Sequence, residues 1–139
     1  MGILIDSDII IDFFNNQDSA INFFKDSTIS KEISISIISW AEVLYGFKKN
    51  KSYNKEKLLQ DFLEDYKVIT ISIDKIVAEK YLDVKIYLEA KRIPLVDFDL
   101  FIAATAMVNN LTLVTKNTKH FKRIKKLQLF IYGRALSIN

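Results

Sequence analysis

Short apolar segments alternate with amphipathic helical segments along almost the whole chain, and this alternation restricts the fold more than any other feature. Segments that predict strands lie at 3–5, 33–37, 68–73, 111–115 and 127–132. The first of them is apolar at every position, which is typical of a parallel strand buried on both faces. Strands that alternate with helices predict a three-layer α/β/α sandwich with a mainly parallel central sheet, and we expect one domain over residues 1–139.

The segments between the strands carry recognisable helix signals. Ser7 or Asp8 is predicted to cap the first helix, and Ser39 to open the helix that carries Glu42. Asp74 is predicted to cap a long helix that Pro94 ends. Apolar stripes and alternation predict many inward-facing side chains, among them Leu58, Leu59, Phe62, Leu63, Val68, Ile69, Ile71, Ile76, Val77, Tyr81, Val84, Ile86, Tyr87, Leu88 and Ala90. We also expect the apolar segment 97–108 to form a helix deep against the sheet.

Composition narrows the class of protein. The chain has no cysteine, which excludes disulfides and thiolate metal sites and favours a reducing compartment. No signal-peptide pattern and no apolar run of membrane-spanning length is present, so we expect a cytoplasmic protein without a membrane span. The formal net charge is +3, with basic residues concentrated in 48–57 and 116–126. Such clusters are typical of nucleic-acid binding, and equally of a solvated face.

Acidic residues lie where predicted strands give way to helices. Asp6 directly follows the first strand, while Glu42 and Asp99 fall in the first turns of two later helices. A parallel sheet would bring these positions to one edge, where ligands of α/β proteins bind. Because clustered carboxylates repel each other, a divalent cation between them is the expected partner. The pattern therefore predicts a metal-dependent enzyme that acts on a phosphate ester.

Each acid also has a local interpretation. Ser39 and Glu42 fit a capping box, in which the glutamate accepts from a free amide at the start of the helix. Asp97 is interpreted as a helix cap, and the helix dipole would favour Asp99 at the same place. Asp6 is harder to explain locally, because Ser7 and Asp8 can cap the helix and no basic residue lies nearby in sequence.

Four ordered segments carry a resemblance to a known family. Residues 3–10, 39–46, 99–106 and 113–121 resemble, in order and spacing, the PIN-domain ribonucleases, and among them most of all the VapC-type toxins of toxin–antitoxin pairs. The likeness spans nearly the whole chain, and although each motif is short, the four in order make it specific.

The resemblance implies roles for individual residues. Asp6 and Asp99 would bind Mg²⁺ or Mn²⁺ directly. Glu42 would act through a metal-bound water or from behind the residues that contact the metal. Asn117 would occupy the fourth catalytic position, and Thr115 would orient this corner of the site. Further acids that would support the site are Asp8 and Asp97. Because Asn117 is neutral, one-metal chemistry is favoured over two.

The resemblance also implies an activity and partners. The family cleaves RNA endonucleolytically by metal-activated water, works as a homodimer, and is silenced by a cognate VapB-type antitoxin that covers the acidic pocket. Lys116, Lys119 and Arg123 follow the site closely and are candidates for RNA contacts. The single histidine, His120, is interpreted as an exposed imidazole without a role.

Two other functions compete with this interpretation. Asp6-Ser7-Asp8 after an apolar strand matches the opening of haloacid-dehalogenase-like phosphatases, with Asp6 as nucleophile. That family expects a later acidic pair after its Thr/Ser and Lys, whereas Thr115-Lys116 is followed by none. The other alternative is a catalytically silent binding module with the PIN fold, which only the neutral Asn117 favours.

Overall fold

A computed structural model describes residues 2–27 and 32–132 as a five-stranded sheet with helices on both faces. The strands are β1 (Ile3–Ile5), β2 (Ile33–Ser36), β3 (Ile69–Ile71), β4 (Thr112–Thr115) and β5 (Leu129–Ile131). The helices are α1 (Ser7–Phe14), α2 (Asp18–Ser27), α3 (Ile37–Lys49), α4 (Tyr53–Asp65), α5 (Lys75–Ala90), α6 (Asp97–Val108) and α7 (Thr118–Phe121). The sheet order is β3-β2-β1-β4-β5, and all neighbouring strands are parallel. This confirms the predicted three-layer architecture.

The central strand β1 shows why an all-apolar sequence suits this sheet. Its Ile5 pairs with Ile35 on one side and Val114 on the other. Successive side chains of a strand point to opposite faces. Ile3 and Ile5 accordingly belong to one core cluster, while Leu4 belongs to the other. Both faces of β1 are therefore covered by helices.

The core beneath α1, α2 and α4 is built largely from aromatic rings. Phe24 is fully buried, and its ring centroid lies 5.1 Å from that of Phe62 and 5.3 Å from that of Phe13. These ring pairs are close to perpendicular, which is a favoured arrangement for aromatic contacts. The opposite core is mainly aliphatic, and α6 lies deep within it as expected, since Leu100 and residues 102–106 are buried.

Several predicted helix starts are wrong, because the backbone places the cap elsewhere. Helix α3 begins at Ile37, and its N-cap is Ser36, whose Oγ accepts from Ile38 N at 3.1 Å. Ser39 is therefore buried inside the helix, and the capping-box interpretation of Glu42 is wrong. Likewise neither Ser7 nor Asp8 caps α1, because Asp6 does so.

The predicted cap and end of α5 had different outcomes. Asp74 is the N-cap as expected, with Oδ1 accepting from Val77 N at 2.9 Å. The helix, however, ends at Ala90, well before Pro94. Arg92 adopts φ 61°, so a left-handed turn rather than the proline terminates α5.

Some side chains predicted to face the core are exposed. They are Leu58, Ile69, Ile76, Ile86, Tyr87 and Ala90. In α5 only Val77, Val84 and Leu88 are buried, because one face of a surface helix meets the core and neighbouring positions turn outward. Ile69 is exposed because β3 is an edge strand. Within the described residues, no helix has the length and apolarity that crossing a membrane requires.

Candidate active site

Asp6 lies at the junction of β1 and α1, and its side chain joins this junction to β4. Its exposed fraction is only 7%. Oδ1 accepts from the Ser7 amide at 2.8 Å, and Oδ2 accepts from Thr115 Oγ1 at 2.8 Å. The backbone contributes too, since Asp6 N donates to Val114 O at 2.9 Å. The carboxylate is therefore fixed in direction at the carboxyl end of the central strand.

Thr115 is the hub that connects the acids of this corner. Its Oγ1 lies 2.8 Å from Asp6 Oδ2 and 3.4 Å from Asp8 Oδ2, and it accepts from Asn117 N at 3.0 Å. Thr115 is completely buried, so its hydroxyl group makes these contacts away from solvent. They are the contacts expected of a residue that orients this corner of the site.

Glu42 reaches the same place from α3. It lies in the second turn of that helix rather than the first, because α3 begins at Ile37. Ser7 Oγ donates to Glu42 Oε1 at 3.3 Å, which links α3 to the start of α1. Its side chain therefore contacts α1 across the site, and Ser36 rather than Glu42 caps α3.

Asp99 approaches from α6, together with residues of the loop after β4. Its Oδ2 lies 3.9 Å from His120 Nδ1, and His120 Nδ1 lies 2.9 Å from Asn117 Nδ2. Helix α7 makes this possible, since residues three apart in a helical turn lie on one side. His120 is exposed as predicted, but its imidazole contacts Asn117 and lies beside Asp99. Its spacing from Asn117 was the available signal.

The acids influence one another electrostatically. Burial raises the pKa of Asp6, and burial together with repulsion from Asp6 raises the pKa of both Glu42 and Asp99. Asp99 adds to the effect on Glu42, while His120 opposes the shift of Asp99. Throughout 2–27 and 32–132, no lysine or arginine pairs with Asp6 or Glu42. Asp6 thus lies near enough to Glu42 and Asp99 to raise the pKa of both, and these three acids define the acidic pocket.

The donor set of this pocket fits a hard divalent cation. It consists of carboxylate oxygens, with no sulfur and a single imidazole at its border. Among the described residues no group of three acidic or histidine side chains forms a ready-made metal cage. Mg²⁺ does not require one, because it usually keeps several waters and takes one or two protein carboxylates.

Asp8 is a further strained acid beside the pocket. Its Oδ1 is buried and has no hydrogen-bond partner among the described residues, while Oδ2 accepts from Lys116 N at 3.0 Å. Burial, and then repulsion from Asp6, raise the pKa of Asp8 to about 7. A proton on this carboxyl group therefore stabilises the folded chain.

We expect the protein without metal to lose stability as pH rises, and Asp8 to be a main cause. Its pKa is about 7 when folded against 3.8 as the reference value, so its contribution is complete below pH 3.8 and is lost as pH rises through about 7. A shift of this size corresponds to a loss of about 4 kcal/mol. Urea unfolding in EDTA at several pH values should show a steeper decline for the wild type than for Asp8→Asn. Parallel profiles would contradict this assignment.

Several residues predicted for the site have other partners. Asp97 accepts from Tyr81 Oη and Lys85 Nζ, each at 2.8 Å, and the N-cap of α6 is Val96. Asp97 is therefore not a helix cap, and its side chain is bound to α5. The basic side chains that follow β4 differ in their contacts. Arg123 Nη1 donates to Pro94 O at 2.7 Å, Lys116 Nζ pairs with Asp12 at 2.9 Å, and Lys119 is exposed.

Three residues of the site were missed or undervalued in the sequence. Ser7 bonds Glu42, Asp12 pairs with Lys116, and His120 joins Asn117 to Asp99. Their partners are distant in the chain: Ser7 and Glu42 are 35 residues apart, and Asp12 and Lys116 are 104 apart. No local pattern marks these two contacts, whereas Asn117 and His120 are only three residues apart.

Comparison with known proteins gives consistent matches over nearly the whole chain. The model of the PIN domain family matches residues 3–127. Ribonuclease VapC1 from Methanocaldococcus jannaschii is 33% identical over 134 residues, covering 95% of this chain and 88% of that protein. Ribonuclease VapC from Rickettsia bellii is 33% identical over 131 residues, covering 93% and 95%. A crystal structure of VapBC2 from Rickettsia felis, bound to a DNA fragment from their promoter, matches with TM-score 0.85 and 32% identity, covering 94% and 98%.

Proposed function

The chain belongs to the PIN domain family, and we propose that it is a divalent-metal-dependent endoribonuclease acting as the toxin of a toxin–antitoxin pair. The observation that carries the proposal is that Asp6, fixed at the end of β1, raises the pKa of both Glu42 and Asp99, while no lysine or arginine of the described residues pairs with Asp6 or Glu42. The ribonuclease names of the similar proteins support RNA cleavage as the activity.

The proposed roles follow from membership of the PIN domain family, and the contacts of each side chain are compatible with them. Asp6 and Asp99 would hold Mg²⁺ or Mn²⁺ directly, and Glu42 would act through a water or from behind these two ligands. When bound, such an ion neutralises the carboxylates, polarises the phosphate and lowers the pKa of water. Thr115 fixes the orientation of the Asp6 carboxylate, and Ser7 fixes that of Glu42. Asn117 completes the corner: its Nδ2 contacts His120 Nδ1, and no hydrogen bond within the described residues involves its side-chain Oδ1.

Positive charge for the RNA backbone comes from the segment that follows the site. Lys119 and Lys122 are exposed there. Arg123 and Lys116 are less available, because each already binds a protein oxygen. We therefore favour Lys119 over the other two as a phosphate contact.

The proposed protein partners are a VapB-type antitoxin and a second copy of this chain. The similar solved structures include VapBC2 from Rickettsia felis and a toxin–antitoxin complex from Klebsiella pneumoniae. Beside Glu42, the exposed rings of Tyr45 and Phe98 line a groove that an antitoxin could fill. The outer face of α5 exposes Ile76 and Ile86, which suits a dimer contact.

We expect the purified protein to cleave RNA with Mg²⁺ or Mn²⁺ and to lose this activity in EDTA. The reason is that Asp6 disfavours the charges of both Glu42 and Asp99, a repulsion that a divalent ion would relieve. Total cellular RNA, incubated with each metal and separated on denaturing gels, provides the measurement, and adding excess Mn²⁺ after EDTA should restore cleavage.

Parallel assays with p-nitrophenyl phosphate test the phosphatase alternative. Its hydrolysis, with RNA left intact, would contradict the nuclease assignment. Cleavage of RNA that persists in EDTA would contradict the metal dependence.

A further inference from the structure

Two acids on α1 hold the loop that connects β4 to α7. Asp8 Oδ2 accepts from the backbone N of Lys116 at 3.0 Å. Asp12 accepts from Lys116 Nζ with both oxygens, at 2.9 and 3.1 Å. Because Asp8 and Asp12 are four residues apart, they lie on the same side of α1. Lys116 is therefore bound to one helix through both its backbone and its side chain.

The position of Lys116 affects the residues on either side of it. Thr115 binds Asp6 and Asp8, and Asn117 binds His120, which faces Asp99. Asn117 N also donates to Thr115 Oγ1 at 3.0 Å, so the three consecutive residues form one bonded unit. A displacement of this loop would change the directions of Thr115 and Asn117 together.

We propose that Asp12 and Lys116, with Asp8, form a clamp that positions Thr115 and Asn117 for cleavage. Lys116 is then a positioning residue that acts through its neighbours and not a contact to RNA. This inference rests on the proposed nuclease function. It adds a connection between α1 and the loop after β4 that lies outside the three acids of the pocket.

The surroundings of Lys116 favour positioning over RNA binding. Its charge is matched by Asp12, whose side chain is only 17% exposed, whereas that of Lys116 is 49% exposed. An RNA phosphate would have to compete with a carboxylate that already makes two hydrogen bonds to the ammonium group. Lys119, three residues later, is exposed in the same segment and provides a natural comparison.

Steady-state kinetics of Lys116→Gln, Asp12→Asn and the double variant separate the two roles. The probe is a fluorogenic RNA oligonucleotide that spans a site cleaved by the wild type. We expect both single variants to lower kcat by about two- to fivefold, with KM nearly unchanged, which is the range for a partly exposed ion pair. The double variant should lose no more than either single one. Asp12 cannot bind phosphate, so an equal loss in Asp12→Asn points to the pair itself.

Salt dependence and charge reversal complete the test. The slope of log KM against log salt should be unchanged in Lys116→Gln and smaller by about 0.7 in the control Lys119→Gln, which loses one phosphate contact. Exchanging the two charges, by combining Asp12→Lys with Lys116→Asp, should give a higher kcat than Lys116→Gln or Asp12→Asn has. A raised KM and a smaller slope in Lys116→Gln, with kcat unchanged, would overturn the clamp. Full kcat in Asp12→Asn would overturn it as well.

Amide exchange makes the clamp testable apart from catalysis. If the wild type cleaves no RNA with Mn²⁺, the proposed function fails, but the bond from residue 116 N to Asp8 can still be measured. We expect the amides of residues 116 and 117 to exchange faster by NMR in Asp12→Asn and in Lys116→Gln. Exchange equal to that of the wild type would show that the side-chain pair does not hold the loop.

Discussion

Asp6→Asn is expected to abolish RNA cleavage while the fold remains intact. The substitution keeps the shape of the side chain but removes the charge that a divalent ion needs, at the acid whose repulsion is felt by both Glu42 and Asp99. Loss of a metal ligand at the reacting centre corresponds to a decrease of about 10³-fold or more in kcat/KM. The measurement is cleavage of the fluorogenic RNA with Mn²⁺, together with circular dichroism to show that the fold survives.

The same variant should be more stable than the wild type when metal is absent. Burial disfavours the charge of Asp6, and its removal relieves repulsion on the other two acids. The asparagine oxygen can still accept from Ser7 N, and its amide can donate to Thr115 Oγ1. We therefore expect a higher melting temperature in EDTA, and a smaller increase on adding Mn²⁺ than the wild type shows.

Asp97→Asn is the matched control for this prediction. It removes the same charge from an acid two residues before Asp99, but its side chain bonds Tyr81 and Lys85. Cleavage should therefore be retained. Activity kept in Asp6→Asn, or lost equally in Asp97→Asn, would contradict the placement of the site.

Leu59→Ala should unfold far more easily than Leu58→Ala, although the two residues are adjacent. Leu59 is 2% exposed and belongs to the aromatic core, whereas Leu58 is 50% exposed. Truncating a buried leucine loses its transfer free energy and leaves a cavity, at a cost of about 2–5 kcal/mol. The exposed neighbour should change the free energy of unfolding by less than about 0.5 kcal/mol.

Urea unfolding of the two variants at one pH in EDTA gives the comparison. The pair is well matched, because the substitution, the helix and the helix propensities are the same. Similar destabilisation by both changes would mean that α4 packs through a different face.

The sequence was sufficient for the architecture and insufficient for the helix starts. Ile3, Leu4 and Ile5 are all apolar, so neither face of this strand carries a polar side chain that would favour solvent. The sequence therefore predicted a parallel strand buried on both faces. At α3, in contrast, Ser36 and Ser39 are chemically equivalent candidates for the cap. The choice depends on the residue at which the chain leaves the sheet, and the tertiary structure determines that residue.

The same division applies to the site. Asp6 was identifiable because it ends a buried strand, and Asp99 because it opens an apolar helix. His120 and Asp12 were not identified as participants, because their roles depend on side chains brought together by the sheet. Asp97 was misassigned for a related reason, since the helix start offers it a local role while α5 supplies its actual partners.

We propose that Asp6 and Asp99, with Glu42 nearby, bind one divalent ion. Anomalous diffraction from crystals soaked in Mn²⁺ tests it most directly, since the signal locates the metal without reference to activity. We expect a peak bonded to carboxylate oxygens of Asp6 and Asp99, and its disappearance in crystals of Asp6→Asn. Manganese bound only at other positions, with this pocket holding water alone, would contradict the account.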